Sequence, residues 1–254
     1  MNTIVSQKMS RGQGNELLNA LEAAGMMSDL AQKIVDSKDN DLAWKVVQLV
    51  RSGGFTAPTS HTSTRAIMGK NFFGIEEAVK HFGVNPSKQQ LAYLAEIPWS
   101  EEVLQSVKDT HILVAVFPLS ILDIRGHCHD QHLFYNQDWY NKQAFAKNKG
   151  EVSWQLIQKT PVADSTSKTW NEQQALLGKN EETPTARVMV YSIIGHFLAT
   201  GERLFEKIYV RCCDLDSDGG HVCVGDFDAS GLGVLSYWFD VRLSVLGVAS
   251  SRKP

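Results

Sequence analysis

Three clusters of side chains have types that could do chemistry. Gly126-His127-Cys128-His129-Asp130-Gln131-His132 groups imidazoles with a thiol. These are zinc-preferred ligands, and a structural zinc needs four of them in a tetrahedral array. Ligands adjacent in sequence do not readily converge on one ion, and no second pair completes the set, so a metal-free exposed turn is expected. Asp214, Asp216 and Asp218 alternate like the oxygen ligands of a calcium loop, with Gly219 at the sixth position. Gly225 stands at the twelfth, where a bidentate Glu would close the shell, so a solvated acidic turn fits better. The third cluster is cysteine: Cys128, Cys212, Cys213 and Cys223 form no spaced framework and read as reduced thiols. No Gly-x-Ser-x-Gly elbow marks a nucleophile, and no glycine-rich phosphate loop precedes a helix. His196 reads as a core residue of its helix. No catalytic residue, metal or cofactor is assigned.

The elements that would position these groups change character along the chain. Asn15 can cap a helix carrying Leu17, Leu18 and Leu21. Ser28 can cap another with Leu30, Ile34 and Val35 inward, and Val46, Val47 and Val50 follow. Residues 1–52 are thus a helical segment, and the Gly, Thr, Ser, Pro and His content of 53–65 predicts a linker or loop. Residues 66–108 form a second helical group, with Gly83 at a left-handed C-terminus, Ser87 and Ser100 as N-caps, and Pro98 as a breaker. From His111 to Arg125 the chain is β-branched-rich and apolar, predicting a buried strand interrupted at Pro118. Val152–Lys159 predicts another strand. Ser167 or Thr169 can cap a helix through Leu177. Thr183 can cap one starting at Pro184, with Val188, Tyr191, Ile194 and Leu198 as its buried stripe and Gly201 as its end. Strands follow at Ile208–Arg211 and Val222–Val224. The pattern licenses an α+β class.

With 254 residues and 43% hydrophobic content, the chain can bury one large domain or a medium and a small one. A net charge of −3 and a pI of about 6.2 oppose a nucleic-acid footprint. A helix-turn-helix over "AVKHFGVNPSKQQLAYL" has few basic residues on its second helix, which favours plain packing. No apolar run approaches the ~20 residues of a membrane span, and the polar start lacks a signal-peptide core. A cytoplasmic or virion-associated location is expected.

The tail from Gly225 to Pro254 mixes two kinds of position. Phe227, Asp228, Gly231, Trp238, Arg242, Gly247, Ser250, Ser251 and Arg252 look fixed; the residues between follow neither a helical nor a strand period. From Ile208 to Arg252 there is no Lys, Glu, Gln or Met, types that form roughly a fifth of the chain. An Asn codon randomised at its adenines yields any residue except Lys, Glu, Gln, Met and Trp. A Trp codon contains no adenine and would be immune.

On these residues the tail resembles the variable region of proteins diversified by diversity-generating retroelements. So do "LVAVFPLSILDIRG", "LFYNQDWYNKQAF", "KTPVADSTSKTWNEQQALL" and "TARVMVYSIIGHFLATGERLF" before it. The resemblance implies a C-type lectin-like domain over 109–254 with a variable region about 217–246. It further implies a ligand-binding display protein that recognises changing targets and is not an enzyme. The expected ligand-contacting set is Gly220, His221, Cys223, Asp226, Ser230, Gly233, Leu235, Ser236, Phe239, Val241, Leu243, Ser244 and Val245, on a scaffold set by Trp238, Arg242 and Gly247. Leu235, Phe239, Val241, Leu243 and Val245 should be solvent-exposed and Trp238 mostly buried. So apolar a set favours a macromolecular target, a protein rather than a sugar. Two alternatives stay open. Formylglycine-generating enzymes share the lectin architecture and use late cysteines, and a DNA-binding regulator would use the N-terminal helices. The aromatics Phe134, Tyr135, Trp139, Tyr140, Trp154 and Trp170 read as core rather than as a ligand groove.

Overall fold

Two sheets and a buried helix that touches both organise the C-terminal four-fifths of the chain. The computed structural model describes residues 28–37, 59–128 and 132–254, together with 14, 15 and 19. The chain divides into two compact units, Met1–Phe55 and Thr56–Pro254. In the first, α1 (Ser28–Val35) is an amphipathic helix. Val35, expected inward, is exposed in it, because it lies one residue past the stripe that Ile34 continues. The expectations for Leu17, Leu18, Leu21, Val46, Val47 and Val50 lie outside the described residues.

The second unit starts earlier than the composition predicts. Within the expected 53–65 linker, Thr59 bridges Ile97 and Ser60 caps α2 (His61–Met68) by accepting from the Ser63 amide at 3.1 Å. Polar residues there serve as caps and helix surface, so a loop-like composition hides a helix. After the short strand β1 (Phe72–Phe73), α3 (Ile75–Phe82) ends on Gly83 in the left-handed region. Ser87 and Ser100 cap α4 (Lys88–Tyr93) and α5 (Glu101–Val107). β1 pairs in parallel with β2 (His111–Val116), which ties residues 66–108 into the same unit as the C-terminal region.

The apolar run from His111 is a strand only as far as Val116. Pro118 offers no amide, and Ser120 with Asp123 forms a capping box that starts α6 (Ile121–His127) instead. α7 (Ala144–Lys147) precedes β3 (Ser153–Gln158). Thr169 caps α8 (Trp170–Gln174), and β4 is Glu181–Glu182. The long helix α9 (Ala186–Thr200) is capped by Thr185, not Thr183, and ends on left-handed Gly201. Every residue from Ala186 to His196 is buried, so the expected single stripe is replaced by burial all round. Strands β5 (Tyr209–Leu215), β6 (His221–Asp228), β7 (Gly231–Tyr237), β8 (Leu246–Val248) and β9 (Ser251–Arg252) complete the chain.

The architecture is mixed α and β. One sheet has the order β1-β2-β3-β9-β4 and the other β7-β6-β5-β8. β1–β2 and β5–β8 are parallel; the other pairs are antiparallel. α9 contacts strands of both sheets. All six residues of β2 are buried, as expected of a strand covered on both faces. Tyr140 and Trp154 are core as predicted, Phe134, Trp139 and Trp170 are partly buried, and Tyr135 is exposed. Among the described residues no helix is long and apolar enough to cross a membrane.

Candidate ligand-binding face

Pairing register sorts the four-stranded sheet into two faces. Val210, Val224 and Val234 lie opposite one another and are fully buried on the side facing the core. On the other side, Tyr209 stands opposite Gly225 and Gly225 opposite Gly233; Arg211 stands opposite Cys223 and Cys223 opposite Leu235. His221 pairs with Tyr237. Since strand side chains alternate between faces, the odd-numbered candidates His221, Cys223, Gly233 and Leu235 share this outer face.

The segment from Trp238 to Val245 crosses that face and is held by its main chain. Arg211 donates to the carbonyls of Trp238 at 3.0 Å and Val241 at 2.7 Å. The amides of Trp170, Ser167 and Tyr209 donate to the carbonyls of Phe239 at 2.7 Å, Leu243 at 2.9 Å and Val245 at 2.9 Å. Five carbonyls of an eight-residue loop are therefore satisfied by donors outside it. Arg242 adds a side-chain clamp, reaching the Ser167 carbonyl at 3.3 Å and the Glu172 carboxylate at 2.8 Å.

Beneath the loop, Arg211 is completely buried, and among the described residues no carboxylate lies within ion-pair distance of it. Its remaining acceptors are the carbonyl of Lys168 at 3.1 Å and the Gln173 side chain at 3.0 Å. Burial works against its charge, and the Asp240 carboxylate partly offsets it. Such a cation persists because carbonyl dipoles replace its hydration. Gln173, itself buried, donates to the carbonyls of Ser165 at 2.8 Å and Leu246 at 3.2 Å. Trp170 stacks on His221 with ring centroids 3.8 Å apart. Burial raises the Cys223 thiol to about 12 and the Cys212 thiol well above its ordinary value, so neither is an activated thiolate.

The acidic turn is internally satisfied. Asp216 accepts from the amides of Asp218 at 2.9 Å and Gly220 at 2.8 Å and from the Ser236 hydroxyl. Asp214 accepts from the Ala186 amide at 2.6 Å, at the start of α9. Among the described residues no group of three His, Cys, Asp or Glu side chains converges on a metal site; His129, Asp130 and Gln131 lie outside them.

The expected contact set divides sharply. Phe239 at 55% exposure, Val245 at 49%, Ser244, Asp226 and Ser230 are exposed, while Leu235, Ser236, Val241 and Leu243 are half-buried. Ser230 sits in the β6–β7 turn, at the far end of the hairpin from Tyr237 and the loop. Gly220, His221, Cys223 and Gly233 are buried and present nothing to a ligand. A Cβ on Gly220 would meet the Ser236 hydroxyl at 2.7 Å and one on Gly233 the Tyr209 hydroxyl at 2.5 Å. His221 lies under Trp170, and Cys223 under the loop beside Arg211.

The scaffold assignment needs one correction. Trp238 is 54% exposed: its carbonyl is anchored, and its ring lies outside the core near Gly219, where a Cβ would approach it to 3.7 Å. Arg242 is exposed yet clamped, and Gly247 is buried with Pro161 so close that a Cβ would sit 2.7 Å away. Sequence reasoning missed Arg211 and Gln173 as the supports of the loop. Arg211 has one sequence signal, a charge between the apolar Val210 and Cys212, whereas Gln173 lies between Glu172 and Gln174 and has none. No family model, curated protein or solved structure matches the chain.

Proposed function

We propose that the protein is a ligand-binding display protein whose 235–245 face contacts changing macromolecular targets, proteins above all. We further propose that its C-terminal unit is a C-type lectin-like domain diversified by adenine-directed mutagenesis. One observation carries this reading. The loop is held through its carbonyls, which every residue type possesses, so its outward side chains can change without removing an anchor. Rigid support with exchangeable side chains is the physical requirement of a paratope.

The contacting set under this reading is Leu235, Trp238, Phe239, Val241, Leu243, Ser244 and Val245. Exposed large apolar side chains in one short segment mark an interaction surface, and Trp238 and Phe239 are natural hot-spot residues.

The test exchanges Phe239, Val241, Leu243 and Val245 together for Ser, after a protein binder to the wild-type face has been selected. Binding should vanish while the thermal unfolding midpoint stays within a few degrees. Retained binding, or collapse of the fold, rejects the reading. The genetic half is checked by sequencing around the gene for a reverse transcriptase and a near-copy of the tail's coding sequence differing at adenines.

A further inference from the structure

The segment that forms the display face is rich in carboxylates; exposed Lys142 and Lys207 stand at its borders, beside Gln143, which accepts from the Ser217 amide, and Ile208, whose carbonyl accepts from the Asp226 amide. Between residues 214 and 246 the chain carries six aspartates and a single arginine, Arg242, which is already paired with Glu172 at 2.8 Å. Asp218, Asp226, Asp228 and Asp240 are exposed. Arg211, just before this stretch, is buried and directed at carbonyls. Lys168 is half-buried beside α8.

The aromatics lie among these carboxylates. Trp238 packs by the turn at Gly219, directly after exposed Asp218, and Asp240 follows Trp238 and Phe239 within the loop. Asp226 accepts from the Tyr209 hydroxyl at 3.3 Å, and burial together with Asp226, Tyr237 and Asp228 raises that phenol's pKa. An indole face attracts cations through its quadrupole, and carboxylates beside it add to the attraction. The same charges repel phosphate-bearing surfaces, whether nucleic acid or anionic membrane.

Resting on the display reading, we infer that the partner is a protein meeting this face with a cationic side chain, an arginine or lysine, set over the Trp238 ring between Asp218 and Asp240. The apolar members, Phe239 and Val245, then take the aliphatic stem and its surroundings. The carboxylates contribute steering and selectivity against acidic partners.

The experiment titrates the full chain with three labelled Gly-Ser peptides of equal length, one carrying arginines, one glutamates and one neither, and reads fluorescence anisotropy. The arginine peptide should bind about tenfold or more tightly than the neutral one, and the glutamate peptide not at all. Trp238→Ala should weaken arginine-peptide binding about fivefold, and Asp218→Asn with Asp240→Asn by a similar factor. Glu101→Gln with Glu102→Gln removes equal charge from exposed positions on α5 and should change little.

Equal binding by the peptides, or none by any, overturns the inference. So does a loss as large with the α5 pair as with Asp218 and Asp240, since that would be bulk charge. The selected binder separates the two failures. If that binder is lost on exchange of the loop side chains while the three peptides bind alike, the display reading stands and only the cationic partner falls.

Discussion

Arg211 and Val241 are joined by a 2.7 Å hydrogen bond from a fully buried guanidinium to a loop carbonyl. The acceptor is main chain, so the bond is indifferent to which side chain occupies position 241. The same nitrogen holds the Trp238 carbonyl at 3.0 Å, fixing the loop at two points from below.

Arg211→Ala should destabilise the second unit by roughly 3 kcal/mol or more, because several buried acceptors lose a charged donor. Arg211→Lys keeps the charge but not the planar fork and should recover only part of that loss. Urea unfolding gives the free energies. Faster amide exchange at Val241 and Leu246 in both variants would report the freed loop; unchanged exchange would contradict the anchoring role.

Surface and core apolar side chains should separate cleanly. Trp238→Ala, Phe239→Ser and Val245→Ser should each shift unfolding free energy by less than about 1 kcal/mol, as exposed positions usually do. Phe227→Ala, at a fully buried ring against Phe197, should cost roughly 3–5 kcal/mol. A loss at Trp238 comparable to that at Phe227 would place its ring in the core.

Gly225 has φ +152°, and a Cβ there would run into the carbonyl oxygen of Ile208. Gly225→Ala should therefore cost more than about 1–3 kcal/mol, the usual penalty of a sparsely populated backbone conformation. Gly126→Ala, where nothing lies within 4 Å, is the matched control. Similar stabilities for the two variants would refute the close approach of β5 and β6.

Glu172 links helix start and loop. Its carboxylate accepts from Thr169 and pairs with Arg242, and these contacts, the Thr169 amide first, lower its pKa from 4.5 to about 2. A depressed carboxylate contributes stability that is fully present above the unfolded value and lost as pH falls through the folded one. The stability gap between wild type and Glu172→Gln should be constant above about pH 5 and close between pH 4.5 and 2. Thermal melts across that range decide it; a gap that widens on acidification would mean the contacts do not favour the charged form.

Much of the local structure could be read from residue type. Ser87, Ser100 and Thr169 cap the helices they were expected to cap, and Gly83 and Gly201 end theirs, because capping depends on a few neighbouring residues. Local signals failed where two were in competition. Ser120 with Asp123 overrode a β-branched run, and the capped start at Ser60 turned a loop-like composition into α2.

Sequence by itself determined which residues were candidates and that their pattern was neither helical nor strand-like. Tertiary structure decided which of them reach solvent. Cys223 and His221 share a face with Leu235, but the loop and Trp170 cover the first two, and that cover exists only because Arg211 and the segment at 167–170 capture carbonyls from a stretch some thirty to seventy residues away. Trp238, with the composition of a core residue, is exposed for the same reason. Its carbonyl, not its ring, is what the buried arginine holds, and no residue-type pattern encodes which of the two faces inward.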